Sequence, residues 1–159
     1  MIRISALFVV LLLAASCNQK SIIADNELNN SQNVINTRVS FDKLPGKWTF
    51  TGYLKDTTVP SNGEATLEFT TTETANKLQV GGRSFINLYS TTFTYNEANS
   101  TIQLVEPIGM TKMAGSPDLM KAETNFLNNL KNVTKFSVDG AVLKLYVGEP
   151  AVEIMSFTK

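Results

Sequence analysis

The sequence has no histidine, and its only cysteine is Cys17. Those two absences remove histidine-based general acid–base pairs, Ser-His-Asp and Cys-His machinery, and the usual zinc and copper ligand sets. They also leave no internal disulfide. Charge of either sign is sparse and balanced, with 14 basic and 14 acidic residues. No basic run occurs, and phosphate binding needs clustered Lys and Arg, so nucleic acid is not an expected partner. There is no Gly-x-Ser-x-Gly segment and no phosphate-binding loop. The carboxylates and serines are scattered, which leaves only a spatial cluster as a route to catalysis. The expectation is therefore a protein that is not an enzyme and carries no cofactor or metal.

What is present begins with an address. Arg3 is followed by Ala6 to Leu13, a continuous apolar run of eight residues, too short to span a bilayer as a helix. Small residues Ala14-Ala15-Ser16 lead directly to Cys17. This is the layout of a secretion signal over residues 1–16, and its ending resembles the lipobox of bacterial lipoproteins. In that pathway Cys17 becomes the lipid-attachment residue and the first residue of the mature chain. Ala14 departs from the pattern, because Leu is commoner there. The alternative is an ordinary signal peptide with an incidental Cys. Cleavage takes away only Arg3 among the charged residues and leaves the mature chain at net −1. Several acyl chains give stable anchoring, since each buried methylene contributes ~0.8 kcal/mol.

Residues 17–43 follow as the lipidated Cys and a tether rich in Asn and Ser, with few apolar residues and no period. As a coil it holds a domain roughly 25–30 Å from the membrane.

The folded domain is expected over residues 44–159. Trp48, Phe50, Gly52 and Leu54 alternate with Thr49, Thr51, Tyr53 and Lys55, the period of a half-buried strand. Ala65, Leu67 and Phe69 alternate with Glu64, Thr66, Glu68 and Thr70. Glu64 and Glu68 then share an outward face, either as a carboxylate pair or simply as a solvated strand. Leu78 and Val80 mark a short strand ending at Gly81-Gly82. Phe85 to Tyr95 reads as one long or bent strand, and Ile102 to Glu106 as another. The pattern then breaks. Ser116 is a good N-cap, Pro117 suits the first helical position, and Asp118 puts a carboxylate in the first turn. Leu119, Ala122, Phe126, Leu127 and Leu130 share one face of a helix over about 116–131. A hairpin at Asp139-Gly140 and a last strand over Val152 to Phe157 close the chain. About eight strands and one helix in this length call for a curled antiparallel sheet or half-open, lipocalin-like barrel, because open edges must be hidden.

Four segments in this order resemble the META domain family, the HslJ-like secreted and lipid-anchored bacterial proteins. They are Leu44-Pro45-Gly46-Lys47-Trp48, Gly82 to Tyr89, Gly109-Met110-Thr111-Lys112-Met113-Ala114-Gly115, and the order of helix, Asp-Gly hairpin and final strand. The resemblance implies a lipocalin-like β domain, an envelope location and loose links to stress tolerance, with no established substrate. Gly82, Asn87, Tyr89, Gly109, Thr111, Lys112 and Met113 match its motifs. The structural reading is that Asn87 and Thr111 satisfy neighbouring backbone groups and Lys112 snorkels. Relatives often have cysteines where this chain has Ile86 and Gly115, so packing must hold that contact here.

Two functions follow. One is a non-enzymatic envelope lipoprotein that binds or supports another envelope component. It would sit on the membrane through its lipid anchor, with the outer membrane favoured over the inner, and an unknown envelope protein or lipid as partner. The other is a carrier for a lipid or small apolar ligand, with Trp48, Phe50, Phe85, Phe93 and Phe126 lining an interior. The competing reading is that those aromatics fill the core.

Overall fold

A computed structural model describes residues 43–56 and 59–159. The expected signal peptide, Cys17 and the expected tether up to residue 42 lie outside the described residues. Among these residues nine strands and one α-helix follow in order: β1 Gly46–Tyr53, β2 Thr66–Thr71, β3 Lys77–Ser84, β4 Asn87–Asn96, β5 Thr101–Leu104, β6 Gly109–Met110, α1 Pro117–Lys131, β7 Val133–Asp139, β8 Val142–Val147 and β9 Glu153–Thr158. The sheet is antiparallel. Its strand order is β3-β2-β1-β9-β8-β7-β5-β4-β6, and β3 also pairs with β4. That last ladder closes an eight-stranded barrel, with β6 added on β4. Closure hides the strand edges that an open sheet would expose.

Alternation sets what faces inward. Trp48 and Phe50 of β1, Leu67 and Phe69 of β2, and Leu143 and Leu145 of β8 are buried, while their neighbours in sequence mostly face solvent. Helix α1 begins as its caps dictate. The Ser116 hydroxyl accepts from Leu119 N, Pro117 is the first helical residue and Asp118 stands in the first turn. Ala122, Phe126, Leu127 and Leu130 are buried along one face, as the spacing predicts. The described core is drawn from Leu44 to Phe157.

Three expectations shift. Strand β3 does not stop at Gly81-Gly82 but runs through to Ser84. The reason is a close approach: a Cβ on Gly82, whose φ is +154°, would sit 2.2 Å from the Thr66 carbonyl oxygen. These glycines let two strands draw together where the sequence suggested a break. Phe85 is not in a strand; with φ of 72° it turns the chain between β3 and β4. The hairpin loop is Gly140-Ala141, one residue past the expected position, with Asp139 ending β7.

The two ends of the barrel differ. At one end, Lys159 Nζ donates to the carbonyls of Lys43 and Pro45 at 2.8 and 2.9 Å and lies 4.2 Å above the Trp48 ring. Trp48 Nε1 in turn donates to Leu44 O at 2.8 Å. The Leu-Pro-Gly-Lys-Trp segment is thus a latch where the chain enters the barrel. The β3–β4 turn, strand β6 and the start of α1 lie at the other end.

Candidate functional site

The matching motif residues meet at that far end. Asn87 is 2 % exposed at the start of β4. Its Nδ2 donates to Glu123 Oε2 at 2.8 Å and to Met113 O at 3.2 Å. Its Oδ1 accepts from Thr111 Oγ1 at 2.8 Å and Met113 N at 2.7 Å. Thr111 completes the junction with β4: its hydroxyl oxygen accepts from Leu88 N, and its own N donates to Leu88 O.

Glu123 is the anchor beneath. It is 7 % exposed on α1. Ser84 Oγ at 2.7 Å and Asn87 N at 2.9 Å both donate to its Oε1. With Asn87 Nδ2 on the other oxygen, one carboxylate joins β3, β4 and α1. Its donors are a hydroxyl, a backbone amide and a carboxamide. A buried carboxylate needs such donors, because desolvation without them costs several kcal/mol. The sequence reading missed both Ser84 and Glu123. A signal for Glu123 was present: it falls three residues before Phe126 and four before Leu127, on the stripe that is otherwise apolar.

The remaining motif residues divide cleanly. Gly82 permits the β2–β3 approach described above. Tyr89 donates its hydroxyl to Thr66 O at 2.9 Å, and burial pushes its phenol far above the ordinary tyrosine range. Gly109 opens β6, paired with Ser90. Lys112 is exposed. Met113 is held by its backbone while its side chain is 53 % exposed. Glu64 and Glu68 are both exposed, as a solvated face requires.

This network supports an unusual surface. Every residue from Gly109 to Asp118 is exposed, yet the backbone of Thr111 and Met113 is fixed to β4 and Asn87. The apolar side chains shown to solvent here are Met110 at 41 %, Met113 at 53 % and, on the adjoining strand, Leu88 at 52 %. Gly115 lies against Ile86. A Cβ on Gly115 would be 2.4 Å from Ile86 Cδ1, so the larger side chain fills the space the glycine leaves.

The aromatic interior behaves differently from a cavity. Phe50 makes edge contacts with Tyr53, Phe85, Phe126 and Phe157 at centroid distances of 4.8, 6.3, 5.4 and 5.3 Å. Phe126 also meets Phe85, Tyr89 and Phe157. Trp48 and Phe93 are buried in the same core. The rings pack on one another in the edge-to-face geometry their quadrupoles favour. Tyr53 is the member whose polar group is left over. Its hydroxyl is shielded from solvent without an aligned hydrogen bond. Burial raises its pKa to about 12, and the nearby Asn129 amide offsets this only in part.

A closed eight-stranded barrel with one helix across its far end is a small β-barrel domain whose motif residues hold its shape. The META domain family model matches residues 42–157, and the chain belongs to that family. Among solved structures, an NMR structure of a protein from Burkholderia xenovorans shares the fold at TM-score 0.57 and 16 % identity, covering 82 % of this chain and 86 % of that one. A crystal structure of a duf4847 family protein from Bacteroides vulgatus gives TM-score 0.47 and 13 % identity, covering 72 % and 92 %. No curated protein matches the sequence.

Proposed function

We propose that this chain is a non-enzymatic, lipid-anchored protein of the bacterial cell envelope, most simply of the outer membrane. Its META domain would bind another envelope protein through the strip from Gly109 to Asp118. The observation that carries this is the use made of Asn87: all four of its side-chain hydrogen-bonding positions hold protein groups, two of them on the strip's own backbone. A residue so committed shapes a surface and has nothing left for a substrate. What it shapes is an ordered apolar strip, and thioether side chains suit adaptable contacts.

The position of the strip favours a protein partner over the bilayer. The chain enters the barrel at the end opposite the strip. With Cys17 acylated, the end where the chain enters is the nearer to the anchor along the chain, which leaves the strip free to meet a protein partner. The carrier reading has less support, because aromatic rings occupy the interior where a ligand would sit. Stress tolerance, implied by the family resemblance, is the setting in which to look for a phenotype.

The test is photo-crosslinking in cells from residue 88 or 113, with Val142 at the opposite end of the barrel as control. The proposal expects one discrete protein adduct from the first two positions and none from Val142. Equal labelling from all three, or none, would sink it.

A further inference from the structure

The barrel is least well closed between β5 and β7, where one registered pair, Thr101 with Lys135, and a bond from Phe136 N to Ser100 O hold the strands together. The cause is local. The register of β7 against β8 shifts between Val133 and Lys135, and the Thr134 hydroxyl turns to donate to Gly148 O at 2.8 Å. A bulge of this kind bends its strand and interrupts pairing. Beside it lies a groove of about 710 Å³, within the range of about 300–1,000 Å³ typical of small-molecule sites.

The groove joins one aromatic side chain, the half-buried Tyr95, to a polar rim on which Gln103, Lys131 and Asn132 are exposed; Ile102 and Val133 behind them are buried. The Asn132 carboxamide is fixed by donation to Asn128 O at 2.8 Å. Glu149, on the same rim, is paired with Lys135 at 3.0 Å, so the charge offered to a ligand is that of Lys131. Carboxamides beside the Tyr95 ring match a sugar ring, which has one face of C–H bonds and an edge of hydroxyl and amide groups. The lone ammonium group matches one carboxylate.

The geometry points to an oligosaccharide site in this groove, taking acetamido sugars and preferring one that bears a carboxylate. The site is separate from the strip and does not depend on it. An extended peptide laid along β5 is the competing occupant.

The test uses residues 17–159 carrying Cys17→Ser, and follows backbone amide shifts by NMR. The probes are the N-acetylglucosamine tetramer, the N-acetylglucosaminyl–N-acetylmuramic acid disaccharide, and a cell-wall stem peptide without sugar. Saturable shifts at Tyr95, Gln103 and Asn132 are expected with both saccharides, tighter for the acidic one. Gln103→Ala and Asn132→Ala should each weaken binding roughly three- to tenfold, the effect of one hydrogen bond. Lys131→Ala should abolish the preference for the acid. No shifts at millimolar saccharide, shifts indifferent to all three substitutions, or the same shifts from stem peptide alone would overturn the assignment.

Discussion

Asn87 has four hydrogen-bonding positions, and all four are taken inside the protein. Replacing it with Ala removes the partner of the Met113 amide and carbonyl and of the Thr111 hydroxyl, and takes one donor from the buried Glu123 carboxylate, so Asn87→Ala should cost about 2–4 kcal/mol in urea unfolding. Asn87→Asp keeps the shape but sets a second carboxylate beside Glu123, and should be at least as harmful. Tyr53 predicts the opposite sign. Its shielded hydroxyl lacks an aligned partner, so Tyr53→Phe should be neutral or stabilising by up to ~1 kcal/mol. It also bears on pH. A phenol whose folded pKa is raised to about 12 keeps its contribution below the unfolded value of about 10 and loses it as pH rises toward 12. With no histidine to titrate near neutrality, the fall should lie on the alkaline side. Unfolding free energy measured from pH 8 to 12 should decline above pH 10, less steeply in Tyr53→Phe. Tyr89 adds a loss of the same sign.

Between elements, the pairing of Ile86 with Gly115 is the clearest trade. The Ile86 Cγ atoms lie 2.8 and 3.7 Å from where a Gly115 Cβ would be, which puts the two Cβ positions about 4 Å apart, the spacing of a disulfide. Ile86→Cys with Gly115→Cys should therefore oxidise readily. Non-reducing mass spectrometry should show two hydrogens lost, and the oxidised form should be more stable than the reduced by up to ~3 kcal/mol. Gly115→Ala alone should destabilise, since its methyl group would meet Ile86. Helix α1 was legible from its caps and stripe because local chemistry fixes both. Strand β6 was not, because two residues carry no period and its pairing depends on Ser90 and Tyr89, about twenty residues back. Thr66 misled for a related reason. Alternation puts it outside, but the glycines of β3 bring the backbone over it, and its side chain accepts from Arg83 N.

At the scale of the molecule, the alternation of apolar residues specified a barrel of about eight strands, whereas its closure rests on the β1–β9 and β5–β7 ladders, which no local pattern announces. The motif residues were legible as a group, yet their meeting point was not. Ser84 and Glu123 join them only through the fold. The proposed anchor has its own test: Cys17→Ser should abolish incorporation of a palmitate analogue and release the protein from the membrane fraction. The central claim is a division of labour between a buried network that sets shape and an exposed strip that makes contact. Measuring unfolding free energy and in-cell crosslinking from residue 88 together, in Asn87→Ala and in Met113→Asp, tests it most directly. The account predicts that Asn87→Ala loses stability, whereas Met113→Asp unfolds like the parent and loses its crosslink. A stable Asn87→Ala, or a Met113→Asp that crosslinks undiminished, would contradict it.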